Sequence, residues 1–196
     1  MNNKKTLLNK GKMSIIKLEE LYVFLSETEN IMNFSIGDKI AHPMHGAGII
    51  DSIMQETVDG RLREYYVIKL PSGGMLVKVP SDSCSSVGIR PIVGREAVDE
   101  LFEKIPSLDI TMTQNWNKRY RENMERIKSG DLLEVAAVAK GLAQREREKG
   151  LSTGERKMLH SAMQILVSEI VLACSASCDE VELRLCSAFN EVCEAV

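Results

Sequence analysis

GIIDSIMQETVDGRLREYYVIKL, residues 48 to 70, decides the fold. β-branched and aromatic side chains crowd its two ends, and Asp59-Gly60 lies between them, a pair that suits a tight hairpin turn because glycine accepts a positive φ. The expectation is two antiparallel strands, Gly48 to Thr57 and Arg63 to Leu70. A run from Ile36 to Ala41 precedes them and another from Met75 to Val79 follows, set off by His42-Pro43 and by Pro71-Ser72-Gly73-Gly74, which suits a second turn. Four or five short strands in about 60 residues predict an antiparallel sheet curled towards an SH3-like or Tudor-like barrel.

Outside this stretch the period changes. Ile15, Leu18, Tyr22 and Leu25 recur at steps of three and four, an amphipathic helix over residues 14 to 27 that Ser14 could cap. After Val93-Gly94 no strand signal returns. Val98, Leu101, Phe102 and Ile105 share one face of a short helix over 95 to 105, closed by Pro106, and a polar connector follows over 107 to 113. Helices are expected over 114 to 128, ended by Ser129-Gly130, and over 131 to 149, ended by Gly150. Ser152-Thr153-Gly154-Glu155 is a capping box that opens a helix reaching about Ala173. Asp179, Glu180 and Glu182 suit the positive end of a last helix over 178 to 195. The expected class is α+β: an N-terminal extension over 1 to 31, a small SH3/Tudor-like antiparallel β module over 32 to 94, and a compact all-α domain over 95 to 196.

The chain has 196 residues, 44% apolar and 27% charged, with a net charge of -3. That excludes a disordered or fibrous protein. Apolar runs such as Ile165 to Val167 and Ile170 to Ala173 are broken within a turn, so no membrane span is expected, and no secretion signal is read. Five cysteines are an odd number without paired CxxC knuckles, which suits reduced thiols in a cytoplasmic protein. Neither a phosphate-binding glycine loop, a dinucleotide fingerprint, a nucleophile elbow nor a zinc-protease helix is found, so no enzyme and no cofactor is expected. His42 and His45, with Cys84, are the nearest approach to metal ligands, but Pro43 between the histidines favours a structural turn. Cys174 and Cys178, at i and i+4, are read as core thiols rather than a metal or redox pair.

Charge is unevenly distributed. Residues 114 to 160 carry 11 basic and 7 acidic side chains, a local +4, whereas 161 to 196 carry 1 and 6, a local -5. The only tryptophan, Trp116, lies in the basic segment, in Asn115-Trp116-Asn117-Lys118-Arg119-Tyr120-Arg121. Two readings stand. Trp116, Tyr120, Met124 and Ile127 are spaced as the buried face of a helix; equally, Trp116 could project as an apolar wedge with Lys118, Arg119 and Arg121 gripping phosphates, the combination that proteins opening or kinking a duplex use.

Phe34-Ser35-Ile36-Gly37-Asp38-Lys39-Ile40-Ala41-His42-Pro43-Met44-His45-Gly46-Ala47-Gly48, Glu64 to Leu70 and Met75 to Pro80 resemble the RNA-polymerase-interaction module of the CarD/CdnL family of bacterial transcription regulators. The resemblance continues through Val87-Gly88-Ile89-Arg90, Asn115 to Tyr120, and Gly150-Leu151-Ser152-Thr153-Gly154-Glu155-Arg156-Lys157-Met158-Leu159, covering about residues 32 to 175 in unbroken register. Residues 1 to 31 lie outside it, as an added helix or the product of a start codon placed too early. The same β module occurs in the transcription-repair coupling factor, a helicase, for which this chain is too short and has no nucleotide loop.

The resemblance implies a β module that docks on the β subunit of RNA polymerase and a helical domain that meets promoter DNA at the upstream edge of the melted bubble. It implies Trp116 as the wedge, Lys118, Arg119 and Arg121 near the backbone, Arg156 as a further contact, and Val58 and Lys78 towards the polymerase. Glu56 departs from the pattern, since family members can carry a cation there. The expected function is a monomeric, cytoplasmic regulator, nucleoid-associated through the polymerase, that stabilises the open complex with little sequence specificity. The alternative is a protein-only adaptor whose helical domain does not contact DNA.

Overall fold

The computed structural model describes residues 33 to 71 and 74 to 189. The helix expected over 14 to 27, and the rest of the extension, lie outside the described residues. Strands β1 (Lys39–His42), β2 (Gly46–Val58), β3 (Arg61–Lys69), β4 (Leu76–Pro80) and β5 (Arg90–Pro91) form one antiparallel sheet in the order β4-β3-β2-β1-β5. Val58 pairs with Arg61 across a two-residue turn in which Asp59 and Gly60 have φ of 52° and 74°. Two positive φ values define the turn whose twist matches that of the flanking strands. A bulge between Ile50 and Ser52 shifts the β2–β3 register. The sheet closes on a core of Ile40, Ile50, Tyr66, Ile68, Leu70, Val79, Cys84 and Ile89.

The first strand is shorter than expected. Ser35 N–H donates to Asp38 Oδ2 at 2.7 Å, and Gly37 has φ of 94°, so residues 35 to 38 turn before β1 begins. The sequence reading also missed a helical turn, α1 (Cys84–Val87), and the two-residue β5, both too short to carry a period.

The helices follow as α2 (Arg95–Lys104), α3 (Trp116–Lys128), α4 (Leu132–Lys149), α5 (Thr153–Cys174) and α6 (Cys178–Ala188). Asn115, Asp131, Ser152 and Ser177 cap the last four with side-chain oxygens, and Ser152 and Glu155 complete the capping box in both directions. Val98, Leu101, Ile127, Val135, Val138, Leu142, Ala162, Leu166, Ile170 and Leu185 fill a second apolar core between them. α5, at 22 residues, contains an 18-residue stretch of mean hydropathy 1.3 and so, by length and composition only, meets the measure of a bilayer-crossing helix, although the sequence leads to no expectation of a span. It is the central helix of this core, with Met158, Ala162, Ile165, Leu166 and Ile170 buried and the acidic Glu155 and Glu169 buried among them.

Sheet and helices meet at α5. Ala47 N–H donates to Ser168 Oγ at 2.8 Å, and at Gly46 a Cβ would overlap the same hydroxyl, so only glycine lets the strand approach. Glu169, 1% exposed, accepts from Arg90 through both carboxylate oxygens and from Val93 N–H at 3.0 Å, while Arg90 Nη2 reaches Gly130 O at 2.7 Å. Lys39 Nζ donates to Leu172 O and Arg95 to Cys174 O, placing cations on the last carbonyls of α5, its negative end.

Candidate nucleic-acid interface

α3 begins at Trp116 because Asn115 accepts the Lys118 N–H at 3.0 Å and caps it. At that first position the side chain stands before the helix enters the core, and Trp116 is 44% exposed. Its indole stacks on Tyr120, centroids 5.4 Å apart and planes 25° apart, and its Nε1–H donates to Ser152 Oγ at 3.1 Å. A Cβ at Gly154 would lie 3.6 Å from Trp116 and 3.7 Å from Tyr120, so the first turn of α5 forms the floor of the aromatic pair. Of the two readings of Trp116, burial in the core does not hold. The buried face of α3 is Arg119, Asn123 and Ile127, with its first two positions polar.

Ser152 Oγ uses its whole hydrogen-bonding capacity: it accepts from Trp116 and from Glu155 N–H, and donates to Glu155 Oε2 at 2.8 Å. Glu155, 3% exposed, accepts from Arg119 Nε at 2.9 Å and Nη2 at 2.7 Å on its other oxygen, with Arg145 Nε 3.6 Å away. Arg119 Nη1 donates to Thr113 O at 2.7 Å and Gln114 O at 2.9 Å. Burial would raise the Glu155 pKa, but the bonds from Ser152 and Arg119 outweigh it and hold the carboxyl below the usual carboxylate range.

These bonds correct one expectation. Arg119, set by the resemblance beside the DNA backbone, is 2% exposed, and all three guanidinium nitrogens donate within the protein. It offers nothing to a phosphate and supports Trp116 from below. Lys118 and Arg121 are exposed, Lys118 in a 3.7 Å pair with Glu122. Arg156 is 65% exposed and pairs with Glu146 at 3.1 Å. Lys118 and Arg121 are thus exposed on the helix that Trp116 begins, and Arg156 on the first turn of α5, with Glu122 and Glu146 paired to Lys118 and Arg156.

The register of β2, β3 and β4 puts Val58, Glu56, Tyr65 and Lys78 on one face of the sheet. Lys78 forms an ion pair with Glu56 and lies 4.3 Å over the Tyr65 ring. Val58 is partly exposed at the hairpin end, with Met54 exposed on the same face. Glu56, where family members can carry a cation, thus neutralises Lys78 from within.

The histidine turn is structural. His42 Nδ1 accepts the Met44 N–H at 3.1 Å, and burial, with His45 4.5 Å away ring to ring, pushes His42 down to about 4. Pro43 is buried, near Gly88 and Gly130, and Met44 packs on the helical core. Cys84 lies in the sheet core, where burial and then Asp82 push its thiol up. No group of three or more metal-ligating side chains is found among the described residues. Cys174 and Cys178 are free thiols.

The sequence puts Tyr120 one turn from Trp116, but nothing in it marks Ser152, Glu155 and Gly154 as neighbours of the tryptophan. The capping box was legible, but its bond to an indole 36 residues earlier leaves no local signal.

Two family models match the chain: the CarD-like/TRCF RID domain over residues 34–93 and the CarD C-terminal domain over residues 100–185. A curated relative from Bacillus subtilis (strain 168), described as "Putative transcription factor YdeB", is 35% identical over 137 residues, which is 70% of this chain and 90% of the relative.

Proposed function

The chain belongs to the CarD-like family of transcription regulators, and from that premise we propose that it docks on the RNA polymerase β subunit through the face of β2, β3 and β4 and stabilises the promoter open complex through Trp116. The observation that carries the proposal is an indole 44% exposed on the first residue of a helix and held there by Ser152 and Tyr120, with Lys118 and Arg121 exposed further along the same helix. An aromatic plate beside cations is what a protein needs to fill an unstacked base step while its lysines and arginines meet phosphates. Lys118, Arg121 and Arg156 take the phosphate contacts; Arg119 does not.

Stabilisation requires differential affinity. A factor binding closed and open promoters alike would shift nothing. A plate that fits only the distorted upstream junction favours the open state, and about 1.4 kcal/mol of preference is tenfold in the equilibrium. Wedge and phosphate contacts read no base edges, so sequence specificity is low. With a local charge of +4, DNA binding by the protein alone is weak and salt-sensitive, and tethering to polymerase supplies the effective concentration.

On the polymerase side, Val58 and Lys78 share a face with Met54, Glu56 and Tyr65. Because Glu56 already pairs with Lys78, docking here leans on the apolar and aromatic members of that face. The protein acts where the polymerase acts, in the cytoplasm on the nucleoid.

Trp116 is the only tryptophan of this chain, so 5-hydroxytryptophan incorporated in its place, excited at the red edge where the tryptophans of the polymerase do not absorb, reports the interface. The proposal expects its emission to be quenched or protected when polymerase and a fork-junction promoter fragment are added, and to change little with polymerase alone. An indole unresponsive to fork DNA in the docked complex supports the adaptor reading instead.

A further inference from the structure

We propose that Arg119, Glu155 and Ser152 are positioning residues for Trp116, a chain of hydrogen bonds that fixes which edge of the indole faces outward; this rests on the reading of Trp116 as the group that meets DNA. Stacking on Tyr120 sets the plane of the ring but not its rotation within that plane. The bond from Nε1 to Ser152 Oγ removes that freedom. It turns the edge bearing Nε1 and Cζ2 towards Ser152 and Gly154, and leaves the opposite hydrocarbon edge facing away.

The acceptor must itself be held. A serine hydroxyl rotates freely unless its proton is committed, and here the proton goes to Glu155 Oε2 at 2.8 Å, which directs the lone pairs towards the indole and the Glu155 N–H. Glu155 can accept on all these bonds only as a carboxylate, and the Arg119 guanidinium, bonded to its other oxygen through Nε and Nη2, favours that state. The remaining Arg119 nitrogen clamps the Thr113 and Gln114 carbonyls, the end of the segment leading into α3. One buried arginine thus fixes both where the helix starts and how the ring on its first residue is turned. Hydrogen bonds in such a series polarise one another, so the chain is stiffer than its separate links.

The test uses Ser152→Gly in the full chain, because glycine is nearly as good an N-cap as serine and the helix survives the change while the hydroxyl is lost. Time-resolved fluorescence anisotropy of the sole tryptophan reads the local motion of the ring, and open-complex lifetime with cognate polymerase reads the consequence. Ser152→Gly is expected to add fast local depolarisation and to reduce the lifetime gain by roughly three- to tenfold, the worth of one neutral hydrogen bond. Polymerase affinity stays at the wild-type value, and Ser152→Thr, which keeps the hydroxyl, restores both readouts. A ring as immobile in Ser152→Gly as in the wild type would overturn the proposal. A ring set free by Ser152→Gly, in a protein whose lifetime effect also survives Trp116→Ala, would uphold the positioning chain and sink instead the reading of Trp116 on which its use depends.

Discussion

Glu169, in the last third of α5, is joined to Arg90 of β5 by two hydrogen bonds, and this carboxylate is 1% exposed. The pair ties the sheet to the helical core, because Arg90 also reaches Gly130 O between α3 and α4. Removing one partner leaves a buried charge without its counter-ion, which costs about 3–5 kcal/mol. Glu169→Ala is therefore expected to lower the urea midpoint strongly, and Arg90→Ala somewhat less because its side chain is 30% exposed. Unfolding free energies within about 0.5 kcal/mol of wild type would contradict the role given to the pair.

Arg119 and Glu155 form the second buried pair, and pH probes it. The Glu155 pKa is lowered in the folded state: burial opposes the shift, and the bonds from Ser152 and Arg119 overcome it. A carboxyl with a depressed folded pKa contributes stability that is present above its unfolded value and lost as pH falls through the folded one. Acid unfolding of the wild type is thus expected to steepen below the ordinary glutamate range, and Glu155→Gln to flatten that limb while lowering stability at neutral pH. Parallel acid limbs for the two proteins would show that Glu155 has no part in it.

His42 acts over a different window. Its folded value of about 4 lies below the ordinary 6.5, so the unfolded chain binds the proton first as pH drops. Stability is complete above 6.5 and is lost progressively down to about 4, where folded and unfolded states are protonated alike. His42→Asn, with no titrating ring, is expected to lose this slope in thermal melts between those limits. An unchanged slope would place the titration elsewhere.

Two glycines give opposite results. Gly46 has φ of 83°, and a Cβ there would overlap Ser168 Oγ, so Gly46→Ala disrupts the approach of β2 to α5 and lowers Tm by several degrees. At Gly154 a Cβ meets only ordinary contacts at 3.6 and 3.7 Å, and the residue is inside the first turn of α5. Gly154→Ala is expected to stabilise by about 0.4–1 kcal/mol through the unfolded chain. A destabilised Gly154→Ala would mean that the aromatic pair tolerates no methyl group beneath it.

The elements that sequence foretells well here are those with local causes. Asp59-Gly60 sets its own turn, Ser152 and Glu155 their own cap, and Gly150 ends α4 with φ of 75°. The core side of α3 is legible only in part: Tyr120, Met124 and Ile127 of the apolar line meet the helical core, but the helix also buries Arg119 and Asn123, each one residue and so about 100° round from that line. A buried arginine looks like a surface cation until its partner is known, and that partner lies 36 residues on. The same holds for Glu169, whose counter-ion is 79 residues away on a two-residue strand.

Open-complex lifetime on a promoter with purified cognate RNA polymerase tests the central claim most directly, comparing no factor, wild type and Trp116→Ala. Trp116 is half out in solvent, so the alanine variant keeps its fold and its docking face, both checked by melting and by polymerase binding. The account predicts a longer lifetime with wild type and loss of that gain with Trp116→Ala. Equal lengthening by both proteins would contradict it and move the mechanism to the polymerase contacts.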